Sequence, residues 1–468
     1  MNGLKRFGFR ATSAPLLSII YAILIVCAGC VSGYEKLQRN VRRDVYEQGD
    51  VERAKKTVEK RGERAPQKER DVLALDEASL ELSSGNVVEA KRKLIRARDS
   101  FDKIEADALQ KSAENLLAYW TDDNSRPYEG EDYEKVLVRA ELAIADLLDN
   151  GEDAKAYATQ IAAKQDDIVQ KGLVDDPREQ GKKINPKKNY PRVPLGPYLE
   201  GLIWEETFLD SGEAARNYEK VVEWRPQFKQ GKTDLIRAQT SVHSQPNNGR
   251  VYVFAFVGRG PHKEQAYEEA TQFALLIADQ VFSATNRYSV PPTVAPVPVP
   301  VLAIEPSKVK SVAIDIDGKR VGASETIADV NEMALKQYEA TKDQLLARAV
   351  VRRVVKKGTV YAAKQVGQVN EWINLAMDVG GVVWEATETA DIRCWGLLPA
   401  EIQVASFEVP AGKRRLAFRP IDRYGNYIGV PIEVDANVEA NRNAYVLVNY
   451  PDEKPLGAPV VSKFAKAN

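Results

Sequence analysis

The sequence predicts an α+β multidomain protein: an N-terminal all-α helical repeat region, then an α+β domain ending in a small antiparallel β-sheet. Three observations predict it. From about residue 35 to 230, small and apolar residues recur at helical spacing. The polar stretch QTSVHSQPNNGR (239–250) then interrupts the pattern with the turn punctuation Pro246-Asn247-Asn248-Gly249. After Pro399 the texture changes to short alternating runs, EIQVASFEV, KRRLAFRPI, IGVPIEV and AYVLVNY, with turns at Pro410-Ala411-Gly412 and Tyr424-Gly425-Asn426. The boundaries read from this are a leader (1–29), a helical region (30–230), a linker (231–249), an α+β domain (250–450) and a C-terminal tail (451–468).

In the helical region, Gly85 ends one helix, and Ala90, Leu94 and Ala97 line a face of the next. Gly151 repeats the break, with Ala156 and Ala163 at the same offsets. Ala214, Tyr218 and Val221 keep the spacing a third time, and Pro226 closes that unit. Small residues let paired helices approach closely, and the glycine permits the turn. These offsets resemble the tetratricopeptide (TPR) helix–turn–helix, in degenerate copies separated by a Lys-rich insertion, DDPREQGKKINPKKNYPRVP. A plain alanine-packed bundle is the other reading. A stacked array would offer a groove to a partner; a closed bundle would not.

In the second half, VYVFAFVG (251–258) reads as a buried strand and HKEQAYEEATQFALLIADQVF as a helix. TVAPVPVPVLAIE alternates Val with Pro, which suits an edge strand. KSVAIDIDGKRV reads as a hairpin around Asp317-Gly318. A long helix starts near Thr326, and WINLAMDVGGVVWEAT is a shorter apolar one.

Charge and composition narrow the function. There are 66 basic and 67 acidic side chains, giving a formal net charge of −1, so no global field draws the chain to nucleic acid. Only 3 Cys and 2 His occur in 468 residues, which excludes a disulfide framework and most zinc sites. No metal or cofactor is expected.

The first 30 residues carry a positive start (Lys5, Arg6, Arg10), an uncharged apolar run from Ala14 to Val26, and a small-residue exit at Ala28-Gly29 before Cys30. These are marks of a secretory signal. A redox reading of the Cys27/Cys30 pair fails because Cys27 lies inside the apolar run. Haem attachment fails because Val31, not His, follows Cys30. A lipobox remains: Cys30 takes the lipid and becomes the first residue of the mature chain. Cys27 is unsuitable, because bulky Val26 would precede it; it stands where such motifs usually carry Leu. Ordinary signal cleavage and a retained membrane anchor are the other readings. With two or more acyl chains (palmitate among them), attachment is stable without a spanning helix. The absence of Asp after Cys30 implies, by similarity to Gram-negative lipoproteins, an outer-membrane site facing the periplasm; an inner-membrane site stays open.

Three internal stretches are candidates for chemistry. GRGPHK follows a strand and precedes the expected helix, so Gly258 and Gly260 offer a backbone nest for an anion, with Lys263 adding charge; a plain turn is the alternative. RAVVRRVVKK sets Arg348, Arg352 and Lys356 on one helix face, suited to anionic lipid or an acidic partner, or forming an ordinary solvated face. TADIRCWGLLP holds Cys394 beside Trp395, with Asp391 and Arg393. Neither His243 nor His262 is spaced to serve that thiol as a base, so a core thiol and a loop-holding ion pair are expected.

The lipobox, YEGEDYEKVLVRAELAIADLLDNGEDAKA, GLIWEETFLDSGEAARNYEKV, GRVYVFAFVGRGPHK, LLARAVVRRVVKK and ADIRCWGLLPAEIQVA occur in this order. Together they resemble a bacterial family of lipoproteins with a TPR-like helical domain and no assigned biochemical activity. The resemblance implies an envelope location and a helical N-terminal module, and carries no catalytic residue. The resulting expectation is a non-enzymatic, lipid-anchored periplasmic scaffold that binds envelope proteins through its helical surface and no nucleic acid. A carboxylate-dependent enzyme acting on peptidoglycan or another envelope glycan, and an activator of a cell-wall synthase, are the alternatives.

Overall fold

The computed structural model describes residues 33–109, 120, 126–207, 210–285, 288–291, 294–366 and 389–465. Cys27, Cys30 and the stretch 372–387 (WINLAMDVGGVVWEAT) lie outside the described residues.

The chain is a mixed α/β protein. Among the described residues nine α-helices come first: α1 (Gly33–Tyr46), α2 (Val51–Gly62), α3 (Arg70–Ser83), α4 (Val87–Leu109), α5 (Asp132–Asp149), α6 (Ala154–Gln170), α7 (Leu195–Thr207), α8 (Ser211–Trp224) and α9 (Lys229–Gln239). Each packs on the next in sequence. A two-residue ribbon, β1 (Val174–Asp175) with β2 (Lys183–Ile184), folds the Lys-rich insertion between α6 and α7.

Small residues set the helix spacing as expected at two of the three sites. Ala90, Leu94 and Ala97 are fully buried, as are Ala214, Tyr218 and Val221. At Gly201 a Cβ would lie 2.7 Å from the Tyr218 ring, so α7 and α8 touch backbone to ring. In α6 the phase differs: Ala156 and Ala163 face solvent, while Ala154, Ala158 and Ile161 are buried. The expected positions were shifted along the helix from its apolar stripe. Helix α9 occupies much of the stretch expected as linker. Its Arg237 joins helices to sheet, donating to Glu205 at 2.5 Å, Asp234 at 2.5 Å and the Tyr252 hydroxyl at 3.1 Å.

The remaining elements are β3 (Asn248–Arg259), β4 (His262–Glu268), α10 (Gln272–Thr285), β5 (Val297–Ala303), β6 (Ser311–Ile316), β7 (Lys319–Ala323), β8 (Glu325–Asp329), α11 (Val330–Val366), β9 (Pro399–Pro410), β10 (Gly412–Ile421), β11 (Ile432–Val438), β12 (Asn443–Tyr450) and β13 (Val460–Val461). Strands order β13-β12-β3-β9-β8 in one sheet and β11-β10-β6-β7 in a second. The four late strands, whose alternation suggests a small antiparallel sheet or sandwich, are divided between two sheets. β12 runs parallel to β3, and β9 antiparallel to it.

β3 is buried on both faces, which its unbroken apolar run requires. Val251, Val253, Ala255 and Val257 meet Ile314, Leu416 and Phe418 of the second sheet. Tyr252, Phe254 and Phe256 join the helical core instead. The five-stranded sheet is thus the middle layer, with helices on one side and the four-stranded sheet on the other. The C-terminal stretch supplies β13 and packs on α3, where a Cβ at Gly457 would lie 1.8 Å from the Ser83 carbonyl oxygen.

The β6–β7 hairpin turns at Asp317 (φ 50°) and Gly318 (φ 78°), as its sequence predicts. Two expectations are corrected. Residues 262–268, expected as the start of a helix, form β4, which pairs antiparallel with the Val/Pro strand β5. The helix begins only at α10, where the Thr271 hydroxyl accepts from the Ala274 amide at 3.0 Å. Likewise α11 starts at Val330 rather than near Thr326, because β8 takes 325–329 as an edge strand and Asp329 accepts from the Glu332 amide at 2.9 Å.

Candidate functional site

Residues 389–398 lead into β9 and run as an extended strap through the helical layer. Trp395 is fully buried, and its indole donates to the Ser79 hydroxyl of α3 at 2.8 Å. Two buried carboxylates hold the strap backbone: Glu134 of α5 accepts from the Trp395 amide at 2.8 Å, and Asp76 of α3 from the Gly396 amide at 3.0 Å. Tyr34 donates to the Cys394 carbonyl at 2.8 Å and Arg42 to that of Gly396 at 2.9 Å, both from α1. Burial pushes Asp76 up to about 7, against the hydrogen bonds from Gln38 and Gly396. Glu134 is raised by burial and by neighbouring Glu131. This face of the helices is filled by the chain's own strap.

The Cys394 thiol is buried, and burial, reinforced by Glu134, pushes it up to about 12. At pH 8 the thiolate fraction is then on the order of 10⁻⁴. Cys394 in the native protein is expected to resist iodoacetamide at that pH and to react fully once the chain is unfolded, as read by mass spectrometry of its peptide. Alkylation of the native thiol within minutes would contradict this.

Beside the strap lies a charged pocket of about 300 Å³. Sequence stretches far apart converge on it: Lys263 from β4, Arg348 and Arg352 from α11, Asp391 and Arg393 from the strap, and residues 126–132 with Lys135 around the start of α5. Gly130 (φ 70°) makes the turn into α5, and a Cβ there would lie 2.8 Å from the Phe101 ring. Glu131 caps the helix in a reciprocal capping box with Glu134, and also accepts from Lys263 and from the Gln337 amide of α11. Asp132 pairs with Lys187 of the insertion, and Glu129 with Arg126 at 3.2 Å. Asp391 pairs with Arg393 at 2.6 Å, and Arg393 also donates to the Lys68 carbonyl at 2.7 Å.

Burial pulls the Lys263 ammonium down, but the attraction of Glu131, Asp391 and Glu134 outweighs it and raises it above the ordinary lysine value. Burial pushes Asp391 up, but Arg393 and Lys263 hold it below the usual carboxylate range. Both groups are therefore charged at neutral pH.

A second cleft, of about 840 Å³, adjoins this pocket along α11 and shares Gln344 with it. Its walls are largely apolar, including Trp120, Ile184, Phe273 and Ile277. Arg348 lies over the Trp120 ring, 5.7 Å from its centre, where the two cavities meet.

The candidate residues are redistributed. Gly258 and Gly260 do not form an anion nest. The Gly260 amide donates to the Leu398 carbonyl at 2.8 Å, and a Cβ at Gly258 would lie 2.8 Å from that of Ala400, so both glycines serve close packing against the strap and β9. Strand β4, not a helix, follows them. The row Arg348, Arg352, Lys356 is not a solvated basic face. Arg352 is buried and donates to the Pro298 carbonyl at 3.3 Å, beside Arg353, which donates to Ala295 at 2.7 Å and Pro296 at 2.8 Å. These guanidiniums satisfy carbonyls of a proline-rich edge. Lys356 is half-buried. Asp391, Arg393 and Cys394 sit as expected, as a loop-holding pair and a core thiol.

Sequence reading missed Glu131, Gln337 and Lys187. The capping-box pattern Glu131…Glu134 was visible in YEGEDYEKV; nothing local marks Gln337 or Lys187. Among the described residues no group of His, Cys, Asp and Glu is placed to hold a metal ion.

Fold and site together define a class: a helical layer joined through one sheet to a second sheet, with a charged pocket where strap, helices and α11 meet. No family profile, no curated protein and no solved structure matches the chain.

Proposed function

We propose that this chain is a lipid-anchored, periplasm-facing scaffold of the bacterial envelope that works by binding. In this reading Cys30 carries the anchor and a TPR-like array forms the frame. The observation that carries the binding role is the pairing inside the charged pocket: Glu129, Glu131, Asp132 and Asp391 each meet a cation. Paired in this way, the four carboxylates hold the pocket's own cations rather than face a substrate as an acid and base pair.

The partner site is the α11 cleft rather than a helical groove, because the strap already occupies the array. An apolar trough next to a pocket of paired charges suits a protein segment with apolar side chains and a charged end. Confinement at the membrane then raises the local concentration of the two proteins.

The test is a photo-crosslinking residue at Gln344 in intact cells. Discrete protein adducts are expected, reduced about tenfold by Cys30→Ser through lost confinement and by Lys187→Glu through lost charge pairing. No adduct, adducts indifferent to both changes, or cleavage of peptidoglycan by the purified protein alone would overturn the proposal.

A further inference from the structure

The outer face of the four-stranded sheet carries a feature unrelated to the pocket. The β10–β11 loop, DRYGNYIGVP (422–431), leaves Tyr424 73% and Tyr427 51% exposed. Exposed apolar residues scattered singly are ordinary, whereas several together on one surface mark an interaction site. Here the loop is fixed. Asp422 accepts from the Tyr424 amide at 2.8 Å and the Asn426 amide at 2.9 Å. The Ile428 amide donates to Pro420 at 2.9 Å and the Val430 amide to Glu453 at 3.1 Å. Gly425 (φ 85°) and Gly429 (φ 65°) take left-handed backbone, and a Cβ at Gly429 would lie 1.8 Å from the Glu453 carbonyl oxygen.

Three guanidiniums stack on these rings. Arg419 lies 4.5 Å and Arg320 4.7 Å from the centre of the Tyr427 ring, and Arg423 lies 4.9 Å from that of Tyr424. Arg320 is paired with Asp315 at 2.8 Å. Further along the sheet Arg415 pairs with Glu433 and Lys413 with Asp435. Among the described residues no carboxylate pairs with Arg419 or Arg423. Each of these two guanidiniums lies against a ring, and Asp422, the one acid of the loop, is taken up by backbone amides.

We propose that this platform binds an anionic glycan, a sugar ring lying on Tyr424 and its carboxylate, sulfate or phosphate group held by Arg419 and Arg423. A rigid aromatic surface offers the apolar C–H face of a sugar a flat contact at small entropic cost, and guanidinium edges match oxyanions in pairs. Choosing a glycan over a nucleic acid, which also combines rings with anions, rests on the envelope reading above.

The test uses the full chain in detergent, with heparin as the anionic glycan, dextran as the neutral one and single-stranded DNA as the rival polyanion. Because the binding is measured in vitro, its outcome is independent of lipid at Cys30. Heparin is expected to bind at least about tenfold more tightly than dextran or DNA. Tyr424→Ala, which leaves the charge unchanged, and the double change Arg419→Gln with Arg423→Gln are each expected to weaken it about tenfold. An unchanged melting temperature shows that the variants fold. The proposal is overturned if heparin does not bind, if DNA binds as tightly, or if Tyr424→Ala leaves heparin binding intact, since bare charge attraction would then suffice.

Discussion

Replacing Trp395 by alanine is expected to remove about 3–5 kcal/mol of stability, measured by urea unfolding at neutral pH. The side chain is fully buried, and the cavity left behind would open inside the strap's seat among α1, α3 and α5. The indole N–H is a separate contribution, about 1 kcal/mol, and Trp395→Phe isolates it by keeping most of the ring while losing the donor to Ser79. The strap leads directly into β9, the neighbour of β3, so helices and sheet should lose stability together in one transition. A loss below about 1 kcal/mol for the alanine variant would show that the strap is an ornament on the array rather than part of its core.

Glu141 provides the second large effect, of opposite sign. It lies in the middle of α5, 1% exposed, and among the described residues no cation pairs with it and nothing hydrogen-bonds its Oε2. Burial alone pushes its carboxyl up to about 8. In the unfolded chain the group titrates near the ordinary glutamate value, so between those two pH values the folded state holds the extra proton. The direction follows from that difference: this residue's contribution to stability is intact below the unfolded pKa and is lost as pH rises through the folded one. Each unit of that interval is worth about 1.4 kcal/mol. Glu141→Gln, which removes the titration while keeping the shape, is expected to stabilise the protein by on the order of 3 kcal/mol at pH 7, by about 1 kcal/mol near pH 5 and by well under 1 kcal/mol near pH 4. Denaturant unfolding of both proteins across that range checks it. A difference independent of pH would mean that the carboxyl is ionised in the folded protein.

These two residues also mark how far the sequence could be read. Trp395 was singled out beside a core thiol, but its partners Ser79 and Glu134, and Asp76 that holds the next residue Gly396, lie more than 250 residues away along the chain, and no spacing rule links them. Glu141 occupies the run VLVRAELAIADLL, where alternate burial would normally place a charged residue toward water. Helix α5 is enclosed on all sides, Asp132 to Asp149, so its polar positions are buried with the rest. Helical periodicity locates a buried stripe; it does not reveal that a helix has no exposed face.

The charged pocket shows the same division. Lys263, Arg348, Arg352, Asp391 and Arg393 were each picked out within their own stretch, for an anion nest, a basic face and a loop-holding pair. That these belong to one cavity depended on β4 being a strand. Its residues HKEQAYE carry helix-compatible charges, and only pairing with the proline-bearing edge of β5 turns them into a ribbon. The same ribbon draws Arg352 to its Pro298 carbonyl, and the segment leading into it draws Arg353 to the Ala295 and Pro296 carbonyls.

The sequence by itself determined the mixed α/β class, the helical first half, the buried strand β3, the Asp317-Gly318 hairpin and the inert setting of Cys394. Each depends on local periodicity, turn chemistry or residue scarcity, which neighbouring residues settle among themselves. Only the tertiary structure decided the division of the late strands between two sheets, the strap through the helices and the meeting of distant charges. Those depend on which surfaces bury one another, and segments hundreds of residues apart make that choice together.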